Sequence, residues 1–339
     1  MTAQDQAMAL QSHAIKRRLL GFLGDFGFLP VILVVLYTAF GLAEPAFFSM
    51  TNMVNIIKQS SFLIILAGAQ MFVLLTRGFD LSLGATVSMV SVIATLVMVA
   101  IAPQGEGPVV LALAAGIMAG VAVAAALGLI NGYCVAYLDI SPFLVTLGVQ
   151  GIAVGLASTL SNGSPVFDTP DILVDWLGRG EWFGFIPAPV GVCLLVLAGS
   201  YVILNHTVLG RSIYILGANP RAADIAGQPR RRNTLIAYVI CSAIAAIGAI
   251  MMTARSGTGE PNLGGGVMLQ SIAAAVIGGV ALRGGEGRVI HVVFGGLLVT
   301  VLSIGMNFVR VDGFLQQIVL GCVVVGAVFL DRLRLLIRL

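Results

Sequence analysis

Ionisable side chains are scarce. Only 10% of the 339 residues are charged, while 58% are hydrophobic and the mean hydropathy is +1.03. A soluble domain carries about a quarter charged residues, so the balance excludes one and points to an all-α polytopic membrane protein. The four cysteines, Cys134, Cys193, Cys241 and Cys322, all lie in apolar runs and read as small core residues, with no disulfide framework. His13, His206 and His291 are scattered singly, so no metal site is expected. No Gly-x-x-x-x-Gly-Lys-Ser/Thr loop is present, and any ATP and magnesium would have to be handled by a partner. Neither a His-Glu-x-x-His pair nor a Gly-x-Ser-Gly elbow with a well-placed histidine occurs, so no catalytic residue is assigned and the chain is not expected to be an enzyme. No nucleic-acid partner is expected.

What is abundant is apolar sequence in long runs. Spans are predicted near 27–43, 60–76, 82–102, 109–133, 141–161, 187–204, 233–254, 268–282, 289–307 and 313–330. A straight crossing needs about 20 residues, so the eighth reads as broken or re-entrant. These spans form one permease domain over 27–330. It is preceded by a segment, 1–26, that runs past Lys16, Arg17 and Arg18 into a full apolar span rather than a signal-peptide cleavage site. Ile15, Leu19, Leu20, Phe22 and Leu23 suggest a short interfacial helix there. A basic tail, 331–339, follows the domain.

Ten spans with both termini cytoplasmic can be tested on loop charge. Of the 18 lysines and arginines, all but Lys58, Arg179, Arg255 and Arg310 fall in loops assigned inside. That asymmetry is what the positive-inside rule requires, and a shift of one span would put Arg230, Arg231 and Arg232 outside. The longest outer loop, 162–186, holds both tryptophans, Trp176 and Trp182, which suit interfacial anchoring, an outer gate or a docking surface. Thr169-Pro170 predicts a helix start there, with Gly178 at its end.

The inner loop 205–232 contains a punctuated stretch. Asn219 is a good N-cap, Pro220 suits the first helical position, Gly227 suits a left-handed terminator, and Pro229 prevents resumption. The result is a rod of about two turns, roughly 10 Å long, too short and polar to cross a bilayer. Gly116 and Gly120, and the doublets Gly278-Gly279 and Gly295-Gly296, predict close helix packing. A weak echo links Arg77-Gly78-Phe79-Asp80 with Arg283-Gly284-Gly285-Glu286, each following a span on the inner side.

Within the spans almost nothing ionises: Asp80 and Asp139 lie near inner ends, and His291 near the start of the ninth span. That argues against an ion-coupled carrier, which needs buried carboxylates or histidines along its path. The interior instead offers neutral polar groups, Gln70, Asn131, Gln150, Gln270, Ser303 and Asn307. Amides supply both donors and acceptors, and as a set they favour a small uncharged polar solute.

Several pieces carry a resemblance: Gly78-Phe79-Asp80-Leu81-Ser82-Leu83-Gly84, Ser141-Pro142-Phe143-Leu144-Val145-Thr146-Leu147-Gly148, Asn162-Gly163-Ser164-Pro165-Val166, Leu209-Gly210-Arg211 followed by Gly217-Ala218-Asn219 and Ala222-Ala223, then 272–279 and Gln316-Gln317-Ile318-Val319. In this order they make the chain similar to permease subunits of bacterial ABC importers for ribose, xylose, galactose and related solutes. The resemblance implies an inner-membrane importer fold of about ten spans. It also implies a second permease subunit, identical or homologous, a cytoplasmic ATPase and a periplasmic solute-binding protein. It makes Gly217, Asn219, Pro220, Arg221, Ala222, Ala223, Asp224 and Gly227 the coupling element that seats in the ATPase. Gln70, Asn131, Phe143, Gln150, Gln270 and Asn307 are the candidate solute path. The sequence departs from the family pattern at Arg77, usually Gly, and at Asp224, Gln228, Glu260, Met268, Gln270 and Ser303-Ile304. These changes leave the solute open between a pentose or hexose and a nucleoside, polyol or furanosyl signalling compound.

Overall fold

The computed structural model describes residues 29–337, with side chains through Gly326 and at Phe329. Its helices are α1 Leu29–Ala43, α2 Met50–Leu75, α3 Leu83–Ile101, α4 Val109–Ala136, α5 Pro142–Leu160, α6 Ala188–His206, α7 Val208–Ala218, α8 Pro220–Ile225, α9 Arg230–Ser256, α10 Val267–Ile277, α11 Val289–Phe308 and α12 Gly313–Ile337. Among the described residues, seven (α2 to α6, α9 and α11) are long and apolar enough to cross a membrane. The expected stretches at 27–43, 268–282 and 313–330 also carry helices: α1 and α10, of 15 and 11 residues, are shorter than a straight crossing, while α12 runs 25 residues.

The bundle is organised around α2. Every residue from Ser60 to Leu75 is buried, and α6, α9, α10 and α11 pack around it. It begins ten residues earlier than hydropathy suggests, because Ser49 Oγ accepts the Asn52 amide at 3.3 Å and caps a first turn rich in polar groups. A second layer, α3 and α4, lies against α9. Gly116 and Gly120 let α4 sit on α3: a Cβ at Gly116 would lie 2.6 Å from the Ala94 carbonyl, and one at Gly120 would lie 3.0 Å from Val90. α5 rests on α3 and leaves Phe143, Leu144, Leu147, Ile152 and Leu156 exposed. In water such a face would aggregate; in a bilayer, lipid or another subunit covers it.

Several expectations need adjustment. The loop 205–232 carries α7 as well as the rod, since Thr207 caps a first turn by accepting the Gly210 amide at 3.1 Å. In the loop 162–186, Thr169 does not cap: its buried hydroxyl has no partner among the described residues, and the helix starts at Asp171 after Pro170. That helix widens into a π-turn, Val174–Arg179, and a small hairpin pairs β1 Glu181–Trp182 with β2 Ile186–Pro187. Gly178 does not end the helix; it lies within the π-turn, where a Cβ would be 2.4 Å from the Ala254 carbonyl. Cys193 and Cys241 are buried as expected, whereas Cys322 is exposed on α12. The interfacial helix expected within 1–26 lies outside the described residues. The tail expected to begin at 331 instead continues α12 to Ile337.

Candidate functional site

The rod forms as its punctuation dictates. Asn219 Oδ1 accepts the Ala222 amide at 3.1 Å, Pro220 opens α8, and Gly227 takes φ +67. The chain then turns back on itself: Gly227 N donates to the Asp224 carbonyl at 3.1 Å and Gln228 N to the Ala223 carbonyl at 3.0 Å, a Schellman-type end. Ser212 Oγ on α7 bonds Gln228 Oε1 at 2.6 Å, so the unusual glutamine ties the end of the rod to the helix before it. Ala223 is buried against the bundle, while Arg221 and Ala222 are exposed and Ile225 is 89% exposed. Asp224 lies 3.9 Å from Arg230 in an exposed pair that contributes little stability. Ile225 is thus an apolar knob at the tip of a short, capped element.

At the opposite end of α9 the chain is irregular where a helix would be expected. Residues 257–266 run as turns and extended backbone beside α3, and only then does α10 start. Their polar backbone is met by small side chains: Glu260 N donates to Ser91 Oγ at 3.1 Å and Gly264 N to Ser88 Oγ at 3.0 Å. A Cβ on Gly264 would come within 1.9 Å of the Gly84 carbonyl, so only glycine permits the approach. Gly259 also exchanges both backbone bonds with Val166 at 2.8 Å, clasping the loop 162–186 to the broken segment. α10 has 11 residues and rises about 16 Å, half of a hydrocarbon core of about 30 Å. Non-helical backbone at membrane depth is tolerated where it is buried in protein or lines a cavity, and broken helices mark solute sites in transporters.

A cavity does border it. About 530 Å³ is enclosed by α2, α9, the broken segment, α10, α11 and α12, within the range of small-molecule sites. Its polar lining includes Gln59, Gln270, Ser303, Asn307 and Gln316, with Phe62 supplying an apolar wall. Gln316 Nε2 donates to Asn307 Oδ1 at 2.8 Å, fixing both amides. Gln59 Oε1 and Ser303 Oγ are buried without a hydrogen-bond partner among the described residues. Such groups cost free energy unless something satisfies them. Arg255 also lines the cavity, its guanidinium over the Phe62 ring at 5.5 Å, together with Glu260.

Of the expected path residues, Gln270 and Asn307 meet in this cavity. Gln150 lies across the broken segment, in a gap of about 50 Å³ with Ser88 and Met268. Gln70 is fully buried in α2, with neither amide atom bonded among the described residues. Asn131 is buried towards the rod, donating to Ser82 Oγ at 2.8 Å; that hydroxyl donates to Asp80 Oδ1 at 2.6 Å, a node that pins the α2–α3 turn. Phe143 is exposed at the start of α5. Trp176 is 74% exposed, whereas Trp182 covers Gly191, where a Cβ would lie 2.3 Å from the indole. Gln59, Arg255, Glu260 and Gln316 were not among the expected path residues: the first three fall beyond the edges of the hydropathy runs, and Gln316 lies within the run 313–330. For Gln59 and Arg255 the signal was polarity inside helices longer than those runs.

The family model described as "Branched-chain amino acid transport system / permease component" matches residues 52–328. The ribose import permease protein RbsC of Escherichia coli K12 is 34% identical over 305 residues, covering 89% of this chain and 92% of that protein. The D-allose transport system permease protein AlsC of the same strain is 33% identical over 303 residues, with 89% and 90% covered. Its galactose/methyl galactoside import permease protein MglC is 32% identical over 332 residues, with 94% and 97% covered. No solved structure matches the chain.

Proposed function

The chain belongs to this permease family and is the membrane subunit of an ABC-type sugar importer, with ATP hydrolysis on a separate subunit; on that premise we propose that it carries a neutral monosaccharide inward by alternating access. The observation that carries the proposal is the half-helix α10, whose broken lead-in and polar flank open onto a cavity of about 530 Å³. A pentose or hexose presents hydroxyls that both donate and accept, matching the amides of Gln59, Gln270, Asn307 and Gln316, and an apolar ring face suited to Phe62. Unsatisfied Gln59 Oε1 and Ser303 Oγ would gain partners when it enters.

The finer arrangement follows the same reading. The rod end faces the cytoplasm of a bacterial inner membrane, with both termini on that side. α8, from Asn219 to Gly227, seats in the ATPase, with Ile225 as its knob and Arg221 at its side. A second permease copy or homologue covers the apolar face of α5. A solute-binding protein delivers cargo at the far end, where Trp176 and Trp182 frame the entrance. Closure of the ATPase pair would move the rod and rock the helices joined to it.

One observation favours a second cargo. Arg255 and Glu260 line the same cavity, opposite charges of the kind a zwitterionic amino acid needs. Reconstitution of the permease with its ATPase and binding protein in liposomes decides the matter. ATP-dependent accumulation of labelled ribose, allose or galactose, unaffected by leucine, supports the monosaccharide reading; a nucleoside or polyol panel runs beside it. Accumulation of leucine alone, or of sugar without ATP, defeats that reading.

A further inference from the structure

We propose that Arg77 is a positioning residue that ties the coupling rod to the broken span α10, so that the partner's stroke reaches the solute cavity through one backbone junction; this rests on the rod's role above. The last carbonyls of α7 lack helical partners, as at any helix end. Arg77 supplies two: Nε donates to the Gly217 carbonyl at 2.6 Å and Nη2 to the Ala218 carbonyl at 2.9 Å. The next residue, Asn219, caps the rod. Arg77 itself stands in the turn after α2 at φ +66, a left-handed conformation that glycine would adopt without steric cost. An arginine held there against its backbone preference is there for its guanidinium.

The same junction receives the segment that follows α10. Gly285 N donates to the Leu75 carbonyl at 3.0 Å. Gly284 and Gly285 are both left-handed, at φ +80 and +75, and their missing side chains leave room for the neighbours. A Cβ on Gly285 would lie 2.3 Å from the Ala218 amide, one on Gly284 2.6 Å from Arg77 Cγ, and one on Gly217 1.8 Å from the Leu75 carbonyl. Three chain segments therefore touch backbone to backbone: the end of α2, the end of α7 and the 284–285 turn. Tyr214 Oη adds a bond to the Gly287 carbonyl at 2.9 Å. Burial raises that phenol above its usual value, outweighing the Arg288 charge, so it stays protonated and donates. Two further bonds, Ala281 N to the Glu286 carbonyl at 2.9 Å and Val280 N to the Ala275 carbonyl at 3.0 Å, carry the turn back onto the end of α10. The other end of α10 presents Gln270 to the cavity. The short echo between 77–80 and 283–286 thus marks two turns that meet.

The test is the number of sugar molecules imported per ATP hydrolysed. It uses the full transporter in liposomes and whichever of ribose, allose or galactose it carries best. Arg77→Gly keeps the turn and removes the latch. Couplings between sites typically span 5–150-fold, so the ratio should fall about tenfold, with ATP hydrolysis and complex assembly retained. Arg77→Lys, with one point-like donor, should fall between. Gly284→Ala, whose Cβ displaces the Arg77 side chain and strains a left-handed turn, should lower the ratio too. A wild-type ratio in Arg77→Gly overturns the proposal, as does a loss of uptake that merely tracks loss of assembled complex. If Gly227→Pro uncouples while Arg77→Gly does not, the latch fails and the rod stands. If neither uncouples, the rod reading fails with it.

Discussion

Gly227 offers a graded test of the rod. Its φ of +67 is open to glycine, tolerable for asparagine, costly for alanine and forbidden to proline. No atom lies within 4 Å of a Cβ built there, so alanine would meet no clash and the cost is purely conformational, about 1–2 kcal/mol. Proline would need a swing of roughly 130° to its own φ near −65° and would delete the amide that bonds Asp224, about 3 kcal/mol or more. Only Ala223 of the rod is buried, so little tertiary packing resists local melting. At about 1.4 kcal/mol per decade, alanine lowers the ordered-to-melted ratio roughly tenfold and proline by more than a hundredfold. Solute uptake and ATP hydrolysis, measured together in liposomes, should show the ratio declining from Asn through Ala to Pro while membrane insertion stays normal. Asn219→Leu, which loses the cap bond to Ala222, should resemble alanine at about 1 kcal/mol. A proline variant with wild-type coupling, or an alanine variant worse than proline, would refute the argument.

Other consequences are simpler to read. Gln270→Ala and Asn307→Ala each remove about one neutral hydrogen bond from the cavity, so half-maximal uptake should need about five times more sugar, with assembly unchanged. Gly295→Ala drives a Cβ to 1.9 Å from the Ala274 carbonyl and should lower the thermal unfolding midpoint in detergent sharply. Gly68→Ala, with nothing within 4 Å, should raise it by gaining helix propensity of up to about 1 kcal/mol. Asp80→Ala strands the Ser82 amide and hydroxyl, which bond it at 2.9 and 2.6 Å, and should destabilise by about 1–3 kcal/mol in the same assay.

Much of this was legible because lipid and backbone geometry leave few choices. Long apolar runs have to be helices in a bilayer, and the Asn219, Pro220 and Gly227 signals act within one turn, so neither needed tertiary context. What escaped reading depends on contacts distant in sequence. α2 starts at Met50 although polar Asn52, Asn55, Lys58 and Gln59 dilute its hydropathy. The cavity gathers Gln59, Arg255 and Gln316 from three helices, and no local pattern joins them. Asn131, read as a candidate for the solute path, donates to Ser82, and only the packing of α4 on the α2–α3 turn reveals that. Thr169 had the right sequence for a cap, but its hydroxyl was drawn into the interior.

The two irregularities of α10 belong to one design. A membrane helix of 11 residues leaves its backbone ends inside the bundle, and each end needs partners or a reason to face a cavity. At its start, Ser88 and Ser91 each accept an incoming backbone amide, and Gln270 lines the cavity. At its end, glycines at 284 and 285 bring the chain against Leu75 and Ala218, beside the rod. A full-length span would have separated these tasks by about 30 Å of uninterrupted helix. Halving it puts the cavity at one end of a short segment and the rod beside the other. That predicts an asymmetry: substitutions at Gly284 or Gly285 should alter sugar affinity although neither touches the cavity, whereas Gly68→Ala on α2 should not. Equilibrium binding of labelled sugar to the purified transporter measures it, and equal effects from all three would show that α10 does not transmit.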